Sequence, residues 1–148
     1  MPYFICPNCK ERSIDIDRVE GLTTDAVACH SCGFGFLFEL MDDYYPAPRT
    51  GFVTCDAEGR VLATGRGVFE LTGYSEQDLI GRKVVDGLGL SGWNDGTNPI
   101  ELSLEWGVRR MDEQLALRTK SGHDKPVKAD FFPAYDADGG LLVALTPR

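Results

Sequence analysis

Four cysteines fall into two pairs, Cys6-Pro7-Asn8-Cys9 and Cys29-His30-Ser31-Cys32, with 19 residues between them. That spacing suits a four-cysteine metal site. A CxxC knuckle turns the backbone so that two sulfurs face one point. Two knuckles on neighbouring hairpins then close a tetrahedral thiolate cage, the geometry Zn2+ takes. A cage filled by four thiolates has no open position for water, so Cys6, Cys9, Cys29 and Cys32 are expected to hold a structural metal and not a hydrolytic one. His30 lies between two of these cysteines, but the tetrahedron is already full and it reads as an exposed knuckle residue. Disulfides are the competing use of the same sulfurs, and a reducing compartment disfavours them. The fifth cysteine, Cys55, is isolated in a predicted strand and reads as a small core residue.

Such a cage needs strands to carry it. Ile14 and Ile16 alternate with polar neighbours over Ser13–Val19, which reads as a strand. Phe34, Phe36, Phe38 and Leu40 alternate with Gly35, Leu37, Glu39 and Met41, a second strand with one strongly apolar face. Residues 1–41 therefore form a first module, resembling the zinc-ribbon, rubredoxin-like family over about residues 4–40. Lys10 stands where many knuckles of that family have glycine, which weakens an iron reading relative to zinc without removing it. The module is too small to be held by its apolar core alone. Its aromatic stripe is also larger than a ribbon of this size readily buries. Phe34, Phe36, Phe38 and Leu40 are thus candidate interface residues toward the rest of the chain, a partner or a second copy. Residues 42–50, with Pro46 and Pro48, read as a short, stiff linker.

From residue 51 the texture changes. Gly51–Cys55 and Arg60–Thr64 flank Asp56-Ala57-Glu58-Gly59, a hairpin signature. Ser75-Glu76-Gln77-Asp78 reads as a capping box with Asp in the third helical position. Asn98-Pro99-Ile100-Glu101 opens a helix with an Asn cap and Pro at its first position, placing Ile100, Leu104 and Val108 on one side with Leu102 and Trp106 beside them. Three strands are predicted at Gln114–Thr119, Val127–Tyr135 and Leu141–Thr146. Strands, a helical middle, then strands is an α+β order.

Residues 51–148 resemble the PAS family. The resemblance is carried by the opening hairpin, by Val68-Phe69-Glu70-Leu71-Thr72-Gly73-Tyr74-Ser75-Glu76-Gln77-Asp78-Leu79-Ile80-Gly81-Arg82, and by the later turns Arg118-Thr119-Lys120-Ser121-Gly122 and Asp136-Ala137-Asp138-Gly139-Gly140. It implies a five-stranded antiparallel sheet with helices packed on one face, enclosing a small cavity. Candidate lining residues are Val68, Leu71, Leu104, Trp106, Leu117 and Phe131. Gly65 departs from the family, which often has Asn there; with Gly67 it leaves the first helix poorly capped. Flavin-binding light sensors of the family use a cysteine in the helical middle and haem-binding members a histidine on the long helix; residues 82–107 carry neither. His123 falls in a predicted turn, Trp93 and Trp106 read first as packing residues, and Asp56, Asp136 and Asp138 as turn residues.

The net charge of −8 bears on partners. Residues 1–48 hold three basic against eight acidic side chains, a balance of −5, and no Lys/Arg cluster able to track a phosphate backbone is present. Nucleic-acid binding through the cysteine module is accordingly disfavoured, though it stays the alternative regulatory role, beside iron-thiolate redox chemistry. No apolar run approaches the ~18 residues of a membrane span, and the N-terminus lacks a signal-peptide pattern. No activated nucleophile, open metal site or phosphate loop is visible, so the chain is not expected to be an enzyme. The expectation is a cytoplasmic signalling protein. Its PAS-like domain would sense a small molecule or bind a protein partner, with homodimerisation open, and its zinc module would be structural and interactive.

Overall fold

The computed structural model describes residues 49–93, 98–107, 109–133 and 140–148 in full, and three short strands before them as backbone. Those strands are β1 (Tyr3–Ile5), β2 (Arg12–Ser13) and β3 (Phe38–Leu40). They pair antiparallel in the order β2-β1-β3. β3 falls within the predicted aromatic strand, and β2 overlaps the start of the predicted Ser13–Val19 strand. The four knuckle cysteines, Phe34 and Phe36 lie outside the described residues.

The second sheet has five antiparallel strands in the order β5-β4-β8-β7-β6: β4 (Gly51–Cys55), β5 (Val61–Thr64), β6 (Arg110–Arg118), β7 (Asp124–Pro133) and β8 (Leu141–Pro147). β4 and β5 are joined by the turn the sequence signals. Asp56 Oδ1 accepts from the backbone N–H groups of Glu58 and Arg60, each at 2.9 Å, so one carboxylate replaces two backbone acceptors. β6 starts four residues before the predicted Gln114 and β7 three before Val127. The early part of β6 is polar and bulged between Arg110 and Glu113, and so shows no alternation. There Asp112 takes φ 59°, and its N–H donates to Asp130 Oδ1 at 2.8 Å.

Between β5 and β6 run α1 (Val68–Thr72), α2 (Glu76–Leu79), α3 (Val84–Leu88) and α4 (Pro99–Trp106). The starts of α2 and α4 follow the sequence closely. The Ser75 side chain accepts from the Asp78 N–H and the Asp78 carboxylate from the Ser75 N–H, a reciprocal capping box on α2. Asn98 Oδ1 accepts from the Ile100 N–H at 2.9 Å, Pro99 sits at the first turn, and Gly107 ends α4 in a left-handed conformation. α1 has no side-chain cap, as Gly67 at its start implies. Among the described residues no helix is long and apolar enough to cross a membrane.

The core lies between the helices and one face of the sheet. Val53, Val143 and Phe131 form a row across β4, β8 and β7, packed with Val68, Leu79 and Leu88 from the helices. Burying each such side chain contributes about 1.5–3 kcal/mol, and this helix–sheet contact dominates the domain's cohesion.

Candidate functional site

The core-facing side of the sheet is also where a PAS-like cavity is expected. Four of the predicted lining residues meet there. Val68 and Leu71 of α1, Leu117 of β6 and Phe131 of β7 are buried in one apolar cluster, and Leu104 of α4 is half-buried against it. Trp106 does not join them: it is 69% exposed. At 3.6 residues per turn it lies about 120° around α4 from Ile100, off the buried face and in the last turn. The expectation that Trp106 lines the interior is therefore corrected. Trp93 is half-buried against the core, consistent with packing.

One residue on that face was missed by the sequence reading. α4 contacts β7 and β6, and its buried positions are Pro99, Ile100 and Ser103. Ser103 is fully buried, and its hydroxyl has no hydrogen-bond partner among the described residues. A serine three residues after Ile100 occupies a position that the helix period reserves for an apolar side chain. That misplaced polarity is the signal that would have found it. Leaving a buried hydroxyl unpaired costs about 1–3 kcal/mol, so the position is unfavourable unless something else supplies the bond.

Cys55, His123 and Asp78 are absorbed by structure. Cys55 is buried in β4 and its thiol is pushed up to about 12, first by desolvation and then by the neighbouring Asp56 charge; it is inert as a nucleophile at neutral pH. His123 sits in the exposed β6–β7 turn, its N–H donating to Thr119 Oγ1 at 3.2 Å. The Asp78 carboxyl is held below the usual carboxylate range by the Ser75 N–H first and by Lys120 second.

A five-stranded antiparallel sheet in the order β5-β4-β8-β7-β6, with helices inserted between β5 and β6 and packed on one face, is a PAS-like fold. Solved structures agree. The PAS domain of a protein from Colwellia psychrerythraea aligns at TM-score 0.51 and 21% identity, over 64% of this chain and 83% of that one. The PAS domain of the fruit-fly ELK potassium channel aligns at 0.56 and 19%, over 67% and 86%. The light-state dimer of the fungal blue-light photoreceptor Vivid aligns at 0.55 and 14%, over 71% and 82%. At these identities the likeness is one of fold. No protein-family model and no curated protein matches the sequence.

Proposed function

We propose that the chain is a cytoplasmic, non-catalytic signalling protein whose PAS-like domain holds a small, mainly apolar molecule between α4 and the sheet. The observation that carries this reading is the buried hydroxyl of Ser103, without a hydrogen-bond partner among the described residues, on the helix α4 whose buried Ile100 belongs to the apolar cluster. Small-molecule sites combine apolar walls with a few placed polar groups, and a ligand atom able to hydrogen-bond would remove the cost of burying Ser103. The similar structures include the PAS domain of a potassium channel and a blue-light photoreceptor. In this reading the cysteine module holds one Zn2+ through Cys6, Cys9, Cys29 and Cys32, a donor set of four thiolates that fits a closed structural site, and acts as an interaction surface for a protein partner or second copy.

The test is a thermal-shift screen of a broad metabolite panel on the wild type and on Ser103→Ala. A compound that raises the melting temperature of the wild type and loses most of its effect in the variant supports the reading. If no compound shifts the wild type, and Ser103→Ala is neutral or stabilising, the hydroxyl is a packing defect. The domain is then a protein-binding one.

A further inference from the structure

β6 and β7 pair in a regular register from Arg118 back to Glu113, which lies opposite Ala129, yet Arg110 lies opposite Phe131. Three steps along β6 thus match two along β7, and Met111 and Asp112 share the place opposite Asp130 in a bulge. Asp112, at φ 59°, is the one non-glycine residue with positive φ among the described residues. Aspartate tolerates that backbone and a β-branched residue does not. Asp130 holds it there. Its side chain is fully buried on the far face of the sheet, turned away from the helices, since its neighbours Ala129 and Phe131 belong to the helix-facing core. Asp130 Oδ1 accepts from the Asp112 N–H at 2.8 Å, and Lys128 Nζ stands 3.6 Å from Asp130 Oδ2 and 3.3 Å from Asp112 Oδ1. Across the bulge, Arg110 pairs with Glu113 at 2.9 Å.

We propose that this end of β6 is a two-state register switch, held by Asp130 in its bulged state, whose release lets residues 110–112 slip one position along β7 and moves the attachment of α4. Continuing the Glu113–Ala129 register without a bulge sets Asp112 against Asp130, Met111 against Phe131 and Arg110 against Phe132. That second state has gains of its own. Residues 111 and 112 recover ladder pairing, and Met111, now 37% exposed, turns onto the helix-facing side opposite Phe131. It also sets two carboxylates directly opposite one another, which is destabilising, and turns Arg110 to the far face, away from Glu113. The bulge avoids both. Local charge therefore selects between the two pairings, and one side chain suffices to exchange them. α4 ends at Trp106 and β6 begins at Arg110, leaving three residues between them. A slip carries Arg110 about 3.3 Å along β7 and so changes the span those residues cross. α4 also carries Ser103, so the register of β6 bears on the position of that residue. The switch itself does not depend on the core binding a ligand.

The experiment is NMR on the 148-residue chain carrying Asp112→Val or Asp112→Gly. Asp112→Val removes the opposed charge and strongly disfavours a left-handed backbone. Backbone NOEs are expected to place Met111, instead of Arg110, opposite Phe131, and the amide resonances of residues 104–107 to shift with them. Asp112→Gly also removes the charge, but it adopts positive φ freely and keeps the N–H bond to Asp130, so Arg110 stays opposite Phe131. A folded Asp112→Val that keeps Arg110 opposite Phe131, or an Asp112→Gly that slips, would overturn the switch. A slip that leaves the α4 resonances unmoved would overturn its link to α4. Should Asp112→Val not fold, Asp130→Ala removes both the acceptor for the Asp112 N–H and the opposed carboxylate, and is expected to slip by the same NOEs. A folded Asp130→Ala that keeps the bulge contradicts the proposal.

Discussion

Lys120 reaches Asp78 across 42 positions of the chain, its ammonium donating to the carboxylate at 3.0 Å. The Lys120 N–H also donates to the Thr72 carbonyl at 2.9 Å. The β6–β7 turn is thereby fastened to the α1–α2 joint, and the carboxylate that caps α2 carries both tasks.

This pair makes stability depend on pH in a defined direction. The folded-state pKa of Asp78 lies below its unfolded value, so its contribution is fully present above about pH 3.9 and is lost as pH falls through the lower, folded value. Asp78→Asn should destabilise the protein at pH 7, and the difference from wild type should vanish in acid. Denaturant titrations of both proteins across pH 2–7 check this; a difference that is constant over the range contradicts it.

Gly89 closes α3 at φ 58°, and a Cβ built there would stand 2.9 Å from Cβ of Arg118. Gly89→Ala should cost about 1–2 kcal/mol for the left-handed conformation and more for the contact. Gly81, at φ 83°, meets nothing within 4 Å, so Gly81→Ala should cost only the conformational part. Equal losses in chemical denaturation would show that the Arg118 strand yields freely.

The buried Cys55 thiol should alkylate only when the domain opens. Peptide mapping after iodoacetamide treatment at pH 8 should find Cys55 labelled at the rate of unfolding, slowed further by anything that stabilises the fold. Rapid labelling in native buffer would place the thiol at the surface.

The cysteine pairs should bind one Zn2+ per chain, and Ser at Cys6, Cys9, Cys29 or Cys32 should strip it. Thiolate ligands are protonated in acid, so metal should be released as pH falls. Chelation should unfold the N-terminal module while the five-stranded sheet persists by circular dichroism. Elemental analysis of the reduced protein decides the metal: absence of zinc contradicts the site, and a red ferric-thiolate spectrum would substitute iron.

Local chemistry made much of the fold legible. Asp56, Ser75 with Asp78, and Asn98 with Pro99 each bond a backbone group within four residues, so their roles can be read without knowing the fold. α3 was not anticipated, because Val84-Val85 opens it without a side-chain cap and its five residues are too few to show a period. The early part of β6 was missed because its bulge breaks alternation around Asp112. The site was harder to read. Ser103 matters only because it is buried in α4, a helix that packs on β6 and β7, and Trp106 was misplaced because one residue at a helix end escapes the face its neighbours define. Burial of Phe52 and Leu142 on the far face depends on long-range packing that strand pattern alone does not specify.

The most direct measurement is native mass spectrometry of the 148-residue chain, before and after incubation with fractionated small-molecule extract. One small molecule per chain is expected, weakened or lost in Ser103→Ala while metal content is unchanged. A spectrum showing no small-molecule adduct in any fraction, for a folded protein, would contradict it.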